Sequence, residues 1–174
     1  LNEGCRAAGG VIECVIHEMF VVDEGEFEGS DALIVCQGDD LGERKRALVE
    51  RCDVIIVLPG GLGTLDEMLD AAALSQLGMP NARPVVAVNI DGYYDFTLKQ
   101  LERAKREGLL SKNPADILAS VPDVDAALNW CEEHAGSVSG ARAVARSVEW
   151  PARDGWVFAA GVGAGLLISW ARGK

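Results

Sequence analysis

Asp53-Val54-Ile55-Ile56-Val57-Leu58-Pro59-Gly60-Gly61-Leu62-Gly63-Thr64-Leu65-Asp66-Glu67 decides the fold. The β-branched run from Val54 to Leu58 reads as a buried strand, the glycines as a turn, and Thr64 to Leu77 as a helix. Glycines at 60, 61 and 63 let the backbone take positive φ and approach a ligand, and Thr64 is placed to cap the helix. A helix N-terminus with unpartnered N–H groups favours a phosphate. Glu67, further into the helix, repels that same phosphate, which makes it the first candidate for chemistry. Strand-to-helix turns are also glycine-rich for packing alone, and that reading stays open at this point. The turn lacks the lysine of a P-loop and the spacing of a dinucleotide fingerprint, which points away from ATP and NAD and towards a smaller nucleotide or sugar phosphate.

Upstream, Asp40-Leu41-Gly42-Glu43-Arg44-Lys45-Arg46-Ala47-Leu48 opens a helix running to about Cys52, with Leu41, Ala47, Leu48 and Val49 available for its buried side. Arg44, Lys45 and Arg46 stand against the prevailing charge of a chain with 27 acidic and 16 basic residues. Taken alone, such a cluster is more often a solvated helix face. This helix leads straight into the strand before Pro59, so its first turn is expected near the glycine turn, where an arginine can clamp a phosphate bidentately. Val11 to Ile16, Ala32 to Cys36 and Val85 to Ile90 read as further strands, and Tyr93 to Glu107 and a segment from Pro122 towards Glu133 as helices. Strands alternating with helices imply an α/β fold with a parallel sheet, whose ligands gather beyond the carboxyl ends of the strands. The acidic stretch from Val22 to Gly29 reads as a solvated loop, with a lid as the alternative.

A length of 174 residues with 49% hydrophobic content suits one domain with a sizeable core. A net charge of −11 argues against a nucleic-acid surface and favours small ligands met through local positive spots. Cys5, Cys14, Cys36, Cys52 and Cys131 are widely spaced, show no metal-binding pattern and read as reduced, mostly buried thiols. The cytosol is the default address. His17 reads as a loop histidine without a functional partner, with a place facing the site as the alternative, His134 as the end of a helix, and Tyr93 and Tyr94 as residues that pack the following helix, with one at the border of the pocket as the alternative.

Glu43-Arg44-Lys45, the turn from Pro59 to Glu67, Gln76-Leu77-Gly78, Pro84-Val85 and Asn89-Ile90-Asp91-Gly92-Tyr93-Tyr94 together resemble the LONELY GUY family, also called lysine decarboxylase-like proteins. The resemblance covers roughly residues 2 to 130 and centres on a PGGxGTxxE motif following an Arg-Lys pair. It implies a Rossmann-like α/β protein with helices on both faces of the sheet, usually a homodimer. The implied activity is hydrolysis of the N-glycosidic bond of cytokinin riboside 5′-monophosphates to free base and ribose 5-phosphate. It further implies Arg44 and Glu67 as the catalytic pair, and Lys45, Gly60, Gly61, Gly63 and Thr64 as phosphate contacts, with neither metal nor cofactor. The chemistry agrees, because glycosidic cleavage passes through an oxocarbenium-like state that a carboxylate stabilises. Asp66 stands where many relatives carry Glu and reads as a cap or solvent-facing residue.

Two departures matter. Leu41-Gly42 replaces a Met-His pair common in relatives, which changes the lining of a base pocket. The family's first strand and a second glycine loop have no counterpart before Ala8-Gly9-Gly10, so residues 1–135 form the nucleotide-binding domain without them unless 136–174 supplies the missing part. Ala152 to Leu167 loosely resembles that helix end, strand and glycine loop, and Ser137 to Arg146 the preceding turn and helix, as in a permuted order or a piece of a tandem array. The apolar run 156–170 also resembles a short membrane tail, and a tail with no fold is the third reading. The functional alternative is a non-catalytic carrier of a phosphorylated nucleotide or cofactor, or an inactive truncated relative. Amino-acid decarboxylation is poorly supported, since no lysine stands in a recognisable pyridoxal phosphate context.

Overall fold

The structure of the chain is a computed structural model that describes residues 2–7, 9–21, 30–134, 157–160 and 167–170. Its elements are α1 (Asn2–Ala7), β1 (Val11–His17), β2 (Ala32–Cys36), α2 (Gly42–Glu50), β3 (Val54–Val57), α3 (Leu62–Leu77) and β4 (Val85–Val88). They continue with α4 (Asp95–Arg106), α5 (Pro114–Ile117), β5 (Ala119–Val121), α6 (Val124–His134), β6 (Val157–Ala160) and β7 (Leu167–Trp170). Alternating strands and helices build a Rossmann-like α/β fold, as its sequence pattern and its family resemblance both lead one to expect.

The strands form two ladders, β2-β1-β6 and β5-β4-β3-β7. Every pairing is parallel except that of β7, which runs antiparallel to β3. β3 and β4 read as unbroken apolar runs because both of their faces are covered. Ile55, Val57, Val85 and Ala87 point into a core shared with Leu48, Val49, Met68, Ala71 and Tyr94, under α2, α3 and the start of α4. Val54, Ile56, Val86 and Val88 point to the opposite side, where Ala127 and Cys131 of α6 cover them. Val15 of β1 and Cys36 of β2 join the first of these cores, so one apolar layer runs beneath both ladders. All five cysteine side chains are buried and none is in a disulfide.

Several boundaries differ from the sequence reading for local reasons. α6 begins at Val124, two residues beyond Pro122, because the Asp123 carboxylate accepts the Ala126 N–H at 2.8 Å and sets the start. α4 begins at Asp95 and not at Tyr93, because Ile90–Gly92 forms a tight 3-10 turn with Asp91 at φ 51° and Gly92 at φ 74°. His17 is a buried strand residue, the last of β1, and not a loop histidine. Its Nδ1 accepts the Met19 N–H at 3.2 Å, which leaves Nε2 as the donor to the Gly38 carbonyl at 3.1 Å.

Residues 157–160, where the sequence suggests a displaced strand, form β6, pairing Val157 opposite Val11 and Ala160 opposite Cys14. The end of the apolar run, residues 167–170, forms β7 against β3. The glycine loop suggested for 161–166, the turn and helix suggested for 137–146, and the acidic loop 22–29 lie outside the described residues. Among the described residues no helix is long and apolar enough to cross a membrane.

Candidate functional site

α2 starts under two side-chain clasps: Asp40 Oδ1 accepts the Gly42 N–H and Glu43 Oε2 accepts the Gln37 N–H, each at 2.7 Å. Successive residues of a helix diverge by about 100°, and this divides the basic cluster. Arg44 turns inward and is buried, Lys45 is partly buried, and Arg46 is exposed. Arg44 Nε donates to the Val15 carbonyl of β1 at 3.3 Å, and its Nη1 donates to Glu67 Oε1 of α3 in a buried ion pair. Arg51, one residue past α2 and seven beyond Arg44, forms a second clasp, with Nε and Nη2 each donating to Glu13 at 2.9 Å. The two arginines share one helix face and lock α2 onto β1.

Lys45 faces α3 from the next position around the helix. Its Nζ lies 3.2 Å from Asp66 and 3.8 Å from Asp70, and Asp66 is solvent-exposed as its sequence position suggested. A groove of about 340 Å³ runs beside this pair, lined by Gly42, Lys45, Arg46, Val49, Asp70, Leu74, Met79 and Asn81. Arg44 and Glu67 do not line it.

The glycine turn corrects two expectations. Helix α3 starts at Leu62 with Gly61 as its N-cap, so Thr64 does not cap it but lies buried within the first turn. Gly60, Gly61 and Gly63 also do without positive φ. Glycine is needed at 60 for space instead: a Cβ there would land on Thr64 Oγ1 and come within 2.8 Å of its Cβ. The turn can thus fold flat over the threonine. Glu67 follows Gly63 by four residues and Thr64 by three, so all three lie on one stripe of the helix, separated by roughly one 5.4 Å turn. No acidic residue occupies the first turn, which leaves the positive end of the helix unopposed until Asp66 and Glu67. Burial pushes the Glu67 carboxyl above the usual carboxylate range, while the facing Arg44 guanidinium pulls it back down.

Tyr93 and Tyr94 adjoin the glycine turn, where the sequence reading favoured helix packing and kept a place at the border of the pocket as the alternative. The Tyr94 hydroxyl donates to the Leu58 carbonyl and the Tyr93 hydroxyl to the Gly60 carbonyl, both at 2.6 Å. Their rings meet edge to face with centroids 5.0 Å apart. Asn89 holds the pair in place, accepting the Tyr94 N–H at 2.6 Å and donating to Asp95 at 3.0 Å. Burial of Tyr94 raises its hydroxyl pKa to about 12, so it stays a donor. The signal was present in Asn89-Ile90-Asp91-Gly92-Tyr93-Tyr94: a turn that needs left-handed backbone followed by two phenols at the end of β4, beside β3.

The structure therefore brings Arg44 and Glu67 into contact, sets Gly60, Gly61, Gly63 and Thr64 at the mouth of the same helix, and engages Lys45 with Asp66 and Asp70. The protein-family model described as "Possible lysine decarboxylase" matches residues 1–131. Among curated relatives, the protein named "Probable cytokinin riboside 5′-monophosphate phosphoribohydrolase LOGL9" of Oryza sativa subsp. japonica is 34% identical over 134 residues, covering 76% of this chain and 57% of that protein. The similarly named LOGL1 of the same plant is 36% identical over 137 residues, covering 79% and 58%. "Cytokinin riboside 5′-monophosphate phosphoribohydrolase LOG5" of Arabidopsis thaliana is 32% identical over 125 residues, covering 71% and 53%. The chain spans a little over half the length of these relatives. The glycine turn and the buried Arg–Glu pair both fall inside the matched residues, and the chain belongs to the LONELY GUY, or lysine decarboxylase-like, proteins.

Proposed function

We propose that this chain is a phosphoribohydrolase that releases the base from a nucleoside 5′-monophosphate of the cytokinin riboside type. The observation that carries the reading is the buried Arg44–Glu67 pair, set one helical turn beyond a glycine-bounded helix N-terminus. The names of the relatives support the same chemistry. In this reading the N–H groups from Gly60 to Thr64 receive the phosphate, and the ribose lies along the stripe towards Glu67.

Cleavage breaks the bond from C1′ to the base nitrogen, whose electron pair leaves with the base. Water adds to C1′, and its proton goes to the departing base. Positive charge builds on C1′ and the ring oxygen, and the ionised Glu67 carboxylate stabilises it. Arg44 keeps that carboxylate charged and aimed. Lys45, held between Asp66 and Asp70, adds positive charge to the phosphate side by exchanging those carboxylates for the incoming phosphate.

We also take 1–135 and the strands drawn from 136–174 as one domain, a reading supported by the pairing of β6 with β1 and of β7 with β3. The chain acts in this reading as a cytosolic homodimer. Exposed Leu62, Leu69 and Leu77 along α3 and Met79 just beyond it support a partner surface. The test is release of free base and ribose 5-phosphate from isopentenyladenosine monophosphate and from AMP by the 174-residue chain. Release from either nucleotide supports the enzyme, and the ratio of the two rates reports the base preference. A folded protein that binds both nucleotides and cleaves neither is a carrier or an inactive relative.

A further inference from the structure

We infer that Tyr93 is a positioning residue for phosphate, and that Tyr94 supports it by fixing the end of the strand on which the glycine turn is built. The inference rests on the phosphoribohydrolase reading and adds to it the device that aims the anion-binding N–H groups.

The turn Pro59-Gly60-Gly61 has little of its own to hold it. Two glycines carry no Cβ with which to brace against neighbours, and Pro59 has no N–H to donate. Its two ends are nevertheless pinned from outside. The Tyr94 hydroxyl takes the Leu58 carbonyl, and the Tyr93 hydroxyl takes the Gly60 carbonyl two residues on.

Peptide geometry turns the second bond into a directional device. In a trans peptide the C=O of one residue and the N–H of the next point in opposite directions, and no cis peptide occurs among the described residues. A hydroxyl that holds the Gly60 carbonyl towards α4 therefore turns the Gly61 N–H away from α4. Gly61 is the N-cap of α3, so its N–H is one of the helix donors with no partner inside the helix. The Leu58 carbonyl precedes Pro59, so holding it orients no following N–H, and the other bond of the Tyr94 hydroxyl is with the Gly60 backbone. Tyr94 thus anchors the strand end and the Gly60 backbone, and the aim of the Gly61 N–H is left to Tyr93.

The support beneath the two rings is itself rigid. Asn89 binds the Tyr94 N–H, its own N–H donates to the Val121 carbonyl of β5 at 2.7 Å, and Asp91 and Gly92 complete the turn in left-handed backbone. Tyr94 is 1% exposed and Tyr93 is 53% exposed, which suits an anchor and an adjustable reporter of the turn.

The experiment compares wild type with Tyr93→Phe and Tyr94→Phe. It measures the Kd for ribose 5-phosphate and for inorganic phosphate, and kcat and KM for the nucleotide that wild type cleaves. Tyr93→Phe keeps the ring and the fold, so its melting temperature matches wild type. We expect its Kd for both phosphates and its KM to rise about tenfold, the loss of one well-aimed donor to a charged group, with kcat within about twofold of wild type. Tyr94→Phe shifts Kd in the same direction and also lowers the melting temperature, because the Leu58 carbonyl loses its partner. If wild type binds ribose 5-phosphate and releases base while Tyr93→Phe keeps wild-type Kd and KM, or loses kcat at constant KM, the positioning role is wrong and the enzymatic reading stands. If wild type neither binds ribose 5-phosphate nor releases base, both fall together.

Discussion

Arg44 and Glu67 meet in a buried ion pair from two different helices, 23 residues apart in sequence, with Arg44 also bonded to the Val15 carbonyl. The guanidinium thus joins a strand, the helix that carries it and the helix that carries the carboxylate. Because both charges are buried, each depends on the other for compensation, and the consequences are measurable.

Replacing Glu67 with Gln keeps the shape and removes the charge. Base release should fall by about a thousandfold, the scale set by losing one transition-state electrostatic contact, while nucleotide affinity stays close to wild type. Steady-state turnover paired with calorimetric binding of the nucleotide checks this, and a Gln variant with wild-type turnover overturns the proposed role.

Arg44→Met should be worse for the fold than for shape, because it strands a buried carboxylate. Removing one partner of such a pair costs about 3–5 kcal/mol. The double variant Arg44→Met with Glu67→Gln should recover part of that stability in urea titrations and none of the activity. Recovery of nothing would mean that the Val15 contact, and not the ion pair, carries the energy.

Burial raises the Glu67 carboxyl above the ordinary range, which fixes the sign of its pH effects. A carboxyl that binds its proton more tightly in the fold contributes full stability below the unfolded value of about 4.3, and that contribution is lost as pH rises through the raised folded value. Melting temperatures of wild type should decline over that window relative to Glu67→Gln. Catalysis moves the opposite way, since the ionised form works: the acid limb of kcat/KM should have its midpoint above about 4.3. A midpoint at or below that value would assign the limb to another group.

Gly60→Ala should collapse the turn without touching either charged residue. The new Cβ collides with the Thr64 side chain, an overpacking that costs about 1–3 kcal/mol and displaces the N–H groups of the turn. Adding Thr64→Ala should restore part of the stability, since it removes Oγ1 while its Cβ remains close. Thermal denaturation of the single and double variants reads the coupling directly.

The strand, turn and helix around Pro59 were legible because a run of four buried β-branched residues followed by glycines has few other solutions. The division of α2 into a buried Arg44 and an outer Lys45 and Arg46 follows from helical periodicity, yet the partner of Arg44 did not. Only the resemblance to a family singled out Glu67 together with it. Thr64 misled because a hydroxyl near a helix start usually caps it, whereas here the helix starts two residues earlier and the hydroxyl is packed against Gly60. The tyrosine bonds to the turn span 33 and 36 residues, and no local pattern encodes which carbonyl a phenol reaches across a sheet. His17 was placed in a loop although it ends β1, where it bonds Gly38 in the connection after the neighbouring strand.

The pairing of Val11 with Val157 has a consequence for the birth of the molecule on the ribosome. β1 finds β2, the next strand along the chain, early, but its other side pairs with residues made far later. Until those residues emerge, that side offers unpaired amides and carbonyls to any passing extended chain, and such edges are where nascent proteins stick together. The late arrival of residues 157–160 seals it, so yield and aggregation in cells should depend on this short segment more than its length suggests.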